Sequence, residues 1–330
     1  MKRFGKIAWA GAGLALLTLG ACQINKADCD LECQKGFWLD SGLNPDPCSN
    51  PLDSTCLVSH RFPTPSDSDK AAKHVIIAVH GFTASTYEWE EFKGFAEDTV
   101  NGHGRSLISL VLLGGHGTNL DAFQSSSWKD WGKPILTEYD TLVKQGYQNI
   151  SFACASTGCA LLMQYIADGQ LATGPAPKWF FLIDPIVVPS EKLLSLVDLV
   201  GPILGNSPNP GSDEENRHWY VNRPQEDLKE LYTLVNRVKN QLESGFELPK
   251  NTNAKVYKSL HDQSADPVGA LLIYKGMRKS DGSHIEAEML DSRLHVVTRL
   301  KGRDPEPSAA DSALQLRVFK EMIDKSLAKP

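Results

Sequence analysis

The sequence predicts an α/β fold in which a mostly parallel central sheet is flanked by helices and interrupted by a helical insertion. Three observations carry that expectation. Short β-branched and aromatic runs recur along the chain, apolar at consecutive rather than alternate positions, as in strands covered on both faces. Stretches of helical length separate them, and strands alternating with helices imply crossover units and parallel pairing. From about residue 188 to 254 this rhythm breaks into a long segment, first rich in Pro and Asn and then helical.

The expected strands are "HVIIAVHGF" from His74, "SLISLVLLGGHG" from Ser106, "NISFACAS" from Asn149, "KWFFLIDPIVV" from Lys178 and "KVYKSLHD" from Lys255. The segments "YEWEEFKGFAEDTV", "WKDWGKPILTEYDTLVKQG" and "TGCALLMQYIADG" read as helices, the last with Leu161, Leu162, Tyr165 and Ile166 on one face. Within the insertion, Leu228, Leu231, Tyr232, Val235, Val238 and Leu242 keep a helical period and give an amphipathic face. Such a helix either packs outside the sheet or caps a substrate, and its place after the fourth strand favours a cap. "AADSALQLRVFKEMIDKSLA" closes the chain as a long helix.

The chain has 330 residues, of which 41% are hydrophobic and 22% charged, enough for one large core without requiring two domains. Its net charge of -6, with no basic block beyond the extreme N-terminus, argues against nucleic acid as a partner. That N-terminus has Lys2, Arg3 and Lys6, an apolar stretch from Ile7 to Leu19 and then small residues, the layout of an export signal. Leu19-Gly20-Ala21-Cys22 resembles the lipobox of bacterial lipoproteins. The resemblance implies a signal peptide over 1–21, a lipid on Cys22, and attachment to the membrane of the cell envelope. Gln23 after the cysteine points to the outer membrane.

Seven cysteines less Cys22 leave six, an even number in an exported chain, which favours disulfides over metal ligands. Cys29, Cys33, Cys48 and Cys56 fall in a segment too poor in periodic apolar residues to fold alone. Residues 22–70 therefore read as a Cys-rich segment and tether stapled by two bridges, with three pairings open. The folded domain is expected over 71–330. Cys154 and Cys159 flank a turn, and either bridge across it or pack as two small buried side chains.

Between those two cysteines stands Ser156, where the third strand gives way to a helix. The surrounding "CASTG" departs from the nucleophile-elbow pattern G-x-S-x-G at its first position, where Cys154 replaces Gly, and keeps the second in Gly158. A serine here is either a helix cap or a nucleophile. A nucleophilic hydroxyl needs a base within hydrogen-bond reach, a group that orients the base, and donors for an oxyanion. His295 in "SRLHVVTRL" is the candidate base, with His284 in "DGSHIE" as competitor, and Asp262 and Asp266 in "SLHDQSADPVG" are the candidate acids. Asp262 directly follows an expected strand, where parallel α/β folds place their chemistry, whereas Asp266 precedes Pro267 and suits a helix cap. His103 and His116 lie in Gly-rich loops without metal-ligand spacing, and "LLGGHGTN" lacks the Lys-Ser/Thr of a phosphate loop.

From His74 onward the chain resembles the bacterial carboxylesterase and monoacylglycerol-lipase branch of the α/β-hydrolase superfamily. The resemblance rests on an ordered set: "HGF" after one strand, "GGHG" after the next, "WKDW", "CASTGC", "HD" with Pro five residues after the Asp, and "LHVVT" before a terminal helix. It implies an α/β-hydrolase fold and a serine hydrolase acting through an acyl-enzyme, with Ser156 as nucleophile, His295 as base and Asp262 as orienting acid. It further implies backbone N–H groups of Phe82 and Thr157 as oxyanion donors, His80 as a shaper of that loop, and no cofactor or metal. The expected substrates are short- to medium-chain acyl esters or monoacylglycerol-like lipids. A thioesterase or peptidase on the same fold is the alternative within enzymes. A non-catalytic envelope lipoprotein using the fold for binding is the alternative outside them.

Overall fold

The computed structural model describes residues 74–98, 106–117, 120–171, 174–189, 206–208 and 211–328. The expectations for Cys22, Cys29, Cys33, Cys48, Cys56 and His103 lie outside the described residues.

The strands, in chain order, are β1 (His74–Val79), β2 (Ser106–Val111), β3 (Ile150–Ala155), β4 (Trp179–Ile183), β5 (Asn206–Pro208), β6 (Asn222–Pro224), β7 (Phe246–Glu247), β8 (Asn253–Ser259), β9 (Met277–Arg278) and β10 (Glu286–Leu290). Among them run α1 (Glu90–Glu97), α2 (Leu120–Gln124), α3 (Trp128–Lys144), α4 (Ser156–Ala167), α5 (Asp213–His218), α6 (Gln225–Ser244), α7 (Val268–Gly276) and α8 (Ala309–Leu327). Serines start several of these helices. Ser127, Ser212 and Ser308 each accept from a backbone N–H three residues on, and an acid at that position returns the bond, so orphan donors at both places are satisfied.

Six strands form one sheet in the order β10-β8-β4-β3-β1-β2, every neighbouring pair parallel. The expected parallel sheet is present, and its apolar runs bury both faces. Val75, Ile77 and Val79 of β1 join one core with residues of α3, α4 and α6, while Ile76 and Ala78 join a second with Phe92 of α1 and Val318, Phe319 and Met322 of α8. That alternation is the two-residue period of a pleated strand between two helical layers.

The sequence reading missed β10. Its "EAEML" has no apolar run because it is the sheet's edge, with Glu286 exposed and Glu288 half-buried, paired to Lys325 and Lys255. Charges on an edge discourage pairing with another chain.

The chain runs from β1 outward to β2, then returns to lay β3 on the other side of β1. Strand order therefore reverses between β1 and β3, and parallel sheets open a crevice at the carboxyl ends of such a pair. The residues just beyond those two ends are His80–Thr83 and Ser156. The insertion between β4 and β8 includes β5, β6, α5 and α6, and α6 packs against α4 and α7. The amphipathic face read from sequence is buried at Leu228, Leu231, Val235, Val238 and Leu242, whereas Tyr232 is exposed.

Candidate active site

Ser156 follows the last residue of β3 and opens α4 with φ of +47°, the left-handed region that a residue with a Cβ enters at a cost of about 1–3 kcal/mol. The helix-cap reading of this serine does not hold: the cap position is Ala155, and no side chain caps the helix. The Ser156 hydroxyl makes no hydrogen bond among the described residues and opens instead on a cavity of about 300 Å³. Tight packing holds the strained turn. A Cβ on Gly158 would lie 2.5 Å from the His80 carbonyl oxygen and 2.8 Å from that of Val79, so only glycine lets α4 sit on the end of β1. Cys154 replaces the other glycine of the elbow pattern without opening it. It is fully buried and disulfide-bonded to Cys159 across the turn, with Cα atoms 4.9 Å apart, so of the two arrangements left open by sequence the bridge is the one formed.

Asp262 and His295 meet as the sequence suggested. His295 Nδ1–H donates to Asp262 Oδ2 at 2.7 Å, and the imidazole reaches the cavity that Ser156 lines. No Ser156–His295 hydrogen bond is formed, and without substrate such contacts are commonly long. His284 is elsewhere: exposed, stacked on Tyr274 at 4.1 Å between ring centres, and away from the cavity. Asp266 lies one residue before Pro267, which holds the cap position of α7, and its carboxylate accepts the N–H of the first helical residue, Val268, at 2.8 Å.

Burial alone would push the Asp262 carboxyl up, but His295 and Lys258 more than offset it and hold the group well below the ordinary carboxylate range. Lys258 was not anticipated. It sits fully buried in β8, its ammonium bonded to Asp262 Oδ2 and lying 3.3 Å from Asp184 Oδ1. Asp184, at the end of β4, in turn accepts from Ser259 N–H at 2.7 Å and from Val296 N–H at 2.9 Å, which fixes the loop that presents His295. A lysine inside an apolar strand reads as an ordinary outward-facing residue; only the neighbouring strand ends reveal its two carboxylates.

On the other wall lies the loop after β1. His80 is held neutral by burial, donating from Nδ1 to Gly81 O at 2.9 Å and accepting the Leu113 N–H at Nε2, 3.0 Å away. It therefore ties the loop to the end of β2 and takes no part in the cavity lining. His116 is likewise buried, its pKa lowered to about 4 by burial, with Nδ1 bonded to Gly114 O. Phe82 and Thr157 both line the cavity, and neither N–H donates to another group among the described residues. For Thr157 this is the ordinary state of a first-turn helical N–H.

Glu88 also lines this wall, a residue that sequence reasoning passed over because it sits in a helical turn. Its carboxylate accepts the Gly81 N–H at 2.7 Å, and burial raises its pKa, partly countered by that bond and by His295, Arg299 and Arg303. The insertion contributes Trp219, Arg223 and Leu231 to the lining. Among the described residues no group of three or more His, Cys, Asp or Glu side chains is arranged to hold a metal ion.

No protein-family model matches the chain. A carboxylesterase of Bacillus subtilis (strain 168) is 22% identical over 241 residues, spanning 71% of this chain and 89% of the relative. Among solved structures, a monoglyceride lipase from Saccharomyces cerevisiae, a soluble variant in complex with a substrate analog, superposes with a TM-score of 0.60 at 9% identity, covering 78% of this chain and 88% of that one. A structure from work on LipS and LipT, two metagenome-derived lipolytic enzymes, gives a TM-score of 0.58 at 20% identity over 77% of this chain and 95% of that one. With a parallel sheet whose order reverses beside β1, and a strained Ser156 between β3 and α4, these likenesses identify the architecture: the chain has the α/β-hydrolase fold.

Proposed function

We propose that this protein is a serine hydrolase that cleaves carboxylic esters through an acyl-enzyme. The observation that carries the reading is the convergence of a strained, unbonded Ser156 and an Asp262-held His295 on one cavity. With Nδ1–H committed to Asp262, Nε2 of the neutral imidazole is the free base. It accepts the Ser156 proton as Oγ attacks the ester carbonyl. The imidazolium then protonates the departing alkoxide, releasing the alcohol and leaving the acyl group on Ser156. Water repeats the sequence in reverse and frees the acid. The N–H groups of Phe82 and Thr157 are the oxyanion donors of this scheme. The carboxylesterase and lipase likenesses support ester chemistry, and a 300 Å³ cavity, at the small end of ligand pockets, suits short- to medium-chain acyl groups or a monoacylglycerol-like lipid. The insertion acts as a cap, a role supported by the three side chains it adds to the lining.

The test is covalent labelling of the full-length, detergent-extracted protein by a fluorophosphonate, together with turnover of 4-nitrophenyl acetate. Both are expected in the parent and absent from a folded Ser156→Ala variant. Labelling that survives Ser156→Ala, or folded parent that neither labels nor turns over, returns the protein to the binding-module alternative.

A lipid anchor at Cys22 is proposed alongside, on the Leu-Gly-Ala-Cys segment. Cys22→Ala is expected to release the protein from the membrane fraction or to block its maturation. A variant processed and retained like the parent removes the anchor.

A further inference from the structure

One cation in the cavity has no counterpart among the described residues. Arg223 lies on β6, which pairs antiparallel with β5, and Pro224 follows it. Arg223 lines the cavity from the wall that the insertion contributes, and the same cavity is lined by the apolar Trp219, Leu231 and Ile186 and the polar Gln263 and Ser264. Its Nε is fully buried without a hydrogen-bond partner, and the guanidinium forms no hydrogen bond or ion pair among the described residues. The other two arginines near the site are occupied. Arg299 binds Glu215 and the Lys301 carbonyl, and Arg303 binds the carbonyls of His295 and Val296.

The nearby acids do not serve Arg223. Glu88 is turned to the Gly81 N–H, and the basic groups acting on it are His295, Arg299 and Arg303 rather than Arg223. Asp227, one turn into α6, is buried with neither oxygen hydrogen-bonded, and burial beside Glu226 and Glu230 raises its pKa to about 8. Burial lowers the Arg223 guanidinium pKa to about 10, which still leaves it charged at neutral pH. A buried charge without a partner is expensive, and a guanidinium carries a planar fork of donors suited to carboxylate or phosphate oxygens. Placed in the same cavity as Ser156, it is a ready counter-ion for a substrate.

We propose that Arg223 binds an anionic group of the substrate, so that the ester cleaved at Ser156 carries a carboxylate or phosphate on the part lying under the insertion. This rests on the hydrolase reading for its chemistry but not for its binding. A carboxylate belongs on the acyl side, as in a dicarboxylic acid monoester, and a phosphate on the alcohol side, as in an acylated glycerol phosphate.

The test measures both binding and turnover in the full-length protein. In the Ser156→Ala background, which removes the proposed nucleophile, affinities are measured by calorimetry for monoethyl glutarate against diethyl glutarate, and for butanoyl glycerol phosphate against butanoyl glycerol. In one of the two pairs the anionic ester is expected to bind about tenfold to a hundredfold more tightly, a preference that Arg223→Gln abolishes and Arg223→Lys retains in part. In the parent, the same ester should show the same preference in kcat/KM, with the loss in Arg223→Gln falling on the anionic member. The pair that responds identifies the anion. No preference in either pair, or an Arg223→Gln loss shared equally by anionic and neutral esters, overturns the proposal. Arg223-dependent binding in a parent that hydrolyses no ester keeps the anion site and removes the hydrolase reading instead.

Discussion

Asp262→Asn is expected to lower ester turnover by ~10⁴, the scale of loss when a serine protease's orienting Asp becomes Asn and its histidine adopts the wrong tautomer. The geometry here leaves the amide no good orientation. Asp262 Oδ2 accepts from His295 Nδ1 and from the Lys258 ammonium, while Oδ1 accepts from Ser264 N–H at 2.7 Å and from Ala265 N–H at 3.3 Å. Every neighbour is a donor, so an asparagine must press its own NH₂ against one pair. Either His295 loses its anchor or the loop after β8 does.

The parent carboxylate has a lowered folded pKa. It therefore contributes stability that is full above the unfolded value, about 3.9, and is lost as pH falls through the lower folded value. Asp262→Asn should lack that part of the acid-denaturation curve. Asp266→Asn is the control. Its carboxylate touches only the first N–H of α7, which an Asn carbonyl can accept equally, so turnover should hold and stability change by well under the ~1 kcal/mol of a lost helix-start hydrogen bond. Steady-state kinetics and denaturant melts of both variants measure this, and the reverse pattern would transfer the acid role to Asp266.

Lys258→Met should cost about 3–5 kcal/mol, the usual result of removing one partner from a buried ion pair. The lysine is fully buried between two fully buried carboxylates, and its loss leaves Asp184 and Asp262 facing each other without a cation. Asp184 keeps its bonds from Ser259 and Val296, so the strand ends stay joined and the variant is expected to fold, with a lower midpoint in urea. Activity should respond through charge. The ammonium is one of the two groups that hold the Asp262 carboxyl low. Without it that carboxyl rises, and activity, lost when Asp262 is protonated, should begin to fall at a higher pH on the acid side of kcat/KM. A variant that melts like the parent with an unmoved pH profile would make Lys258 a bystander.

Where the chain is covered on both sides, its sequence was legible. Strands β1, β2, β3 and β4 are read from mostly apolar runs because helices pack on each face of a parallel sheet, β8 from a shorter apolar-containing segment with two lysines, and β10 is unreadable for the converse reason. Its charged "EAEML" is an edge whose partners, Lys255 and Lys325, come from β8 and α8. Ser156, Asp262 and His295 were named as candidates from strand ends together with the resemblance to the α/β-hydrolases, and the fold brings Ser156 and the Asp262-bonded His295 to one cavity. For Cys154 and Cys159 the five-residue spacing left a bridge and two packed side chains both open, and the turn that brings their Cα atoms to 4.9 Å decided for the bridge.

Local order along the chain is decided by periodicity and turn chemistry, which act over a few neighbours, and those placed the strands, the elbow and the two ends of the catalytic candidate set. Pairings between distant segments are decided by packing. The clamp of Lys258 between Asp184 and Asp262 joins β8 to residues 74 and four positions away. The Gly81–Glu88 bond places an acid in the cavity wall beside Phe82. The unpaired Nε of Arg223 depends on how the described residues of the insertion close around it. In a linear pattern Lys258, Glu88 and Arg223 look like any solvated charges, because a side chain's solvent and counter-ion exist only once the chain has closed around it.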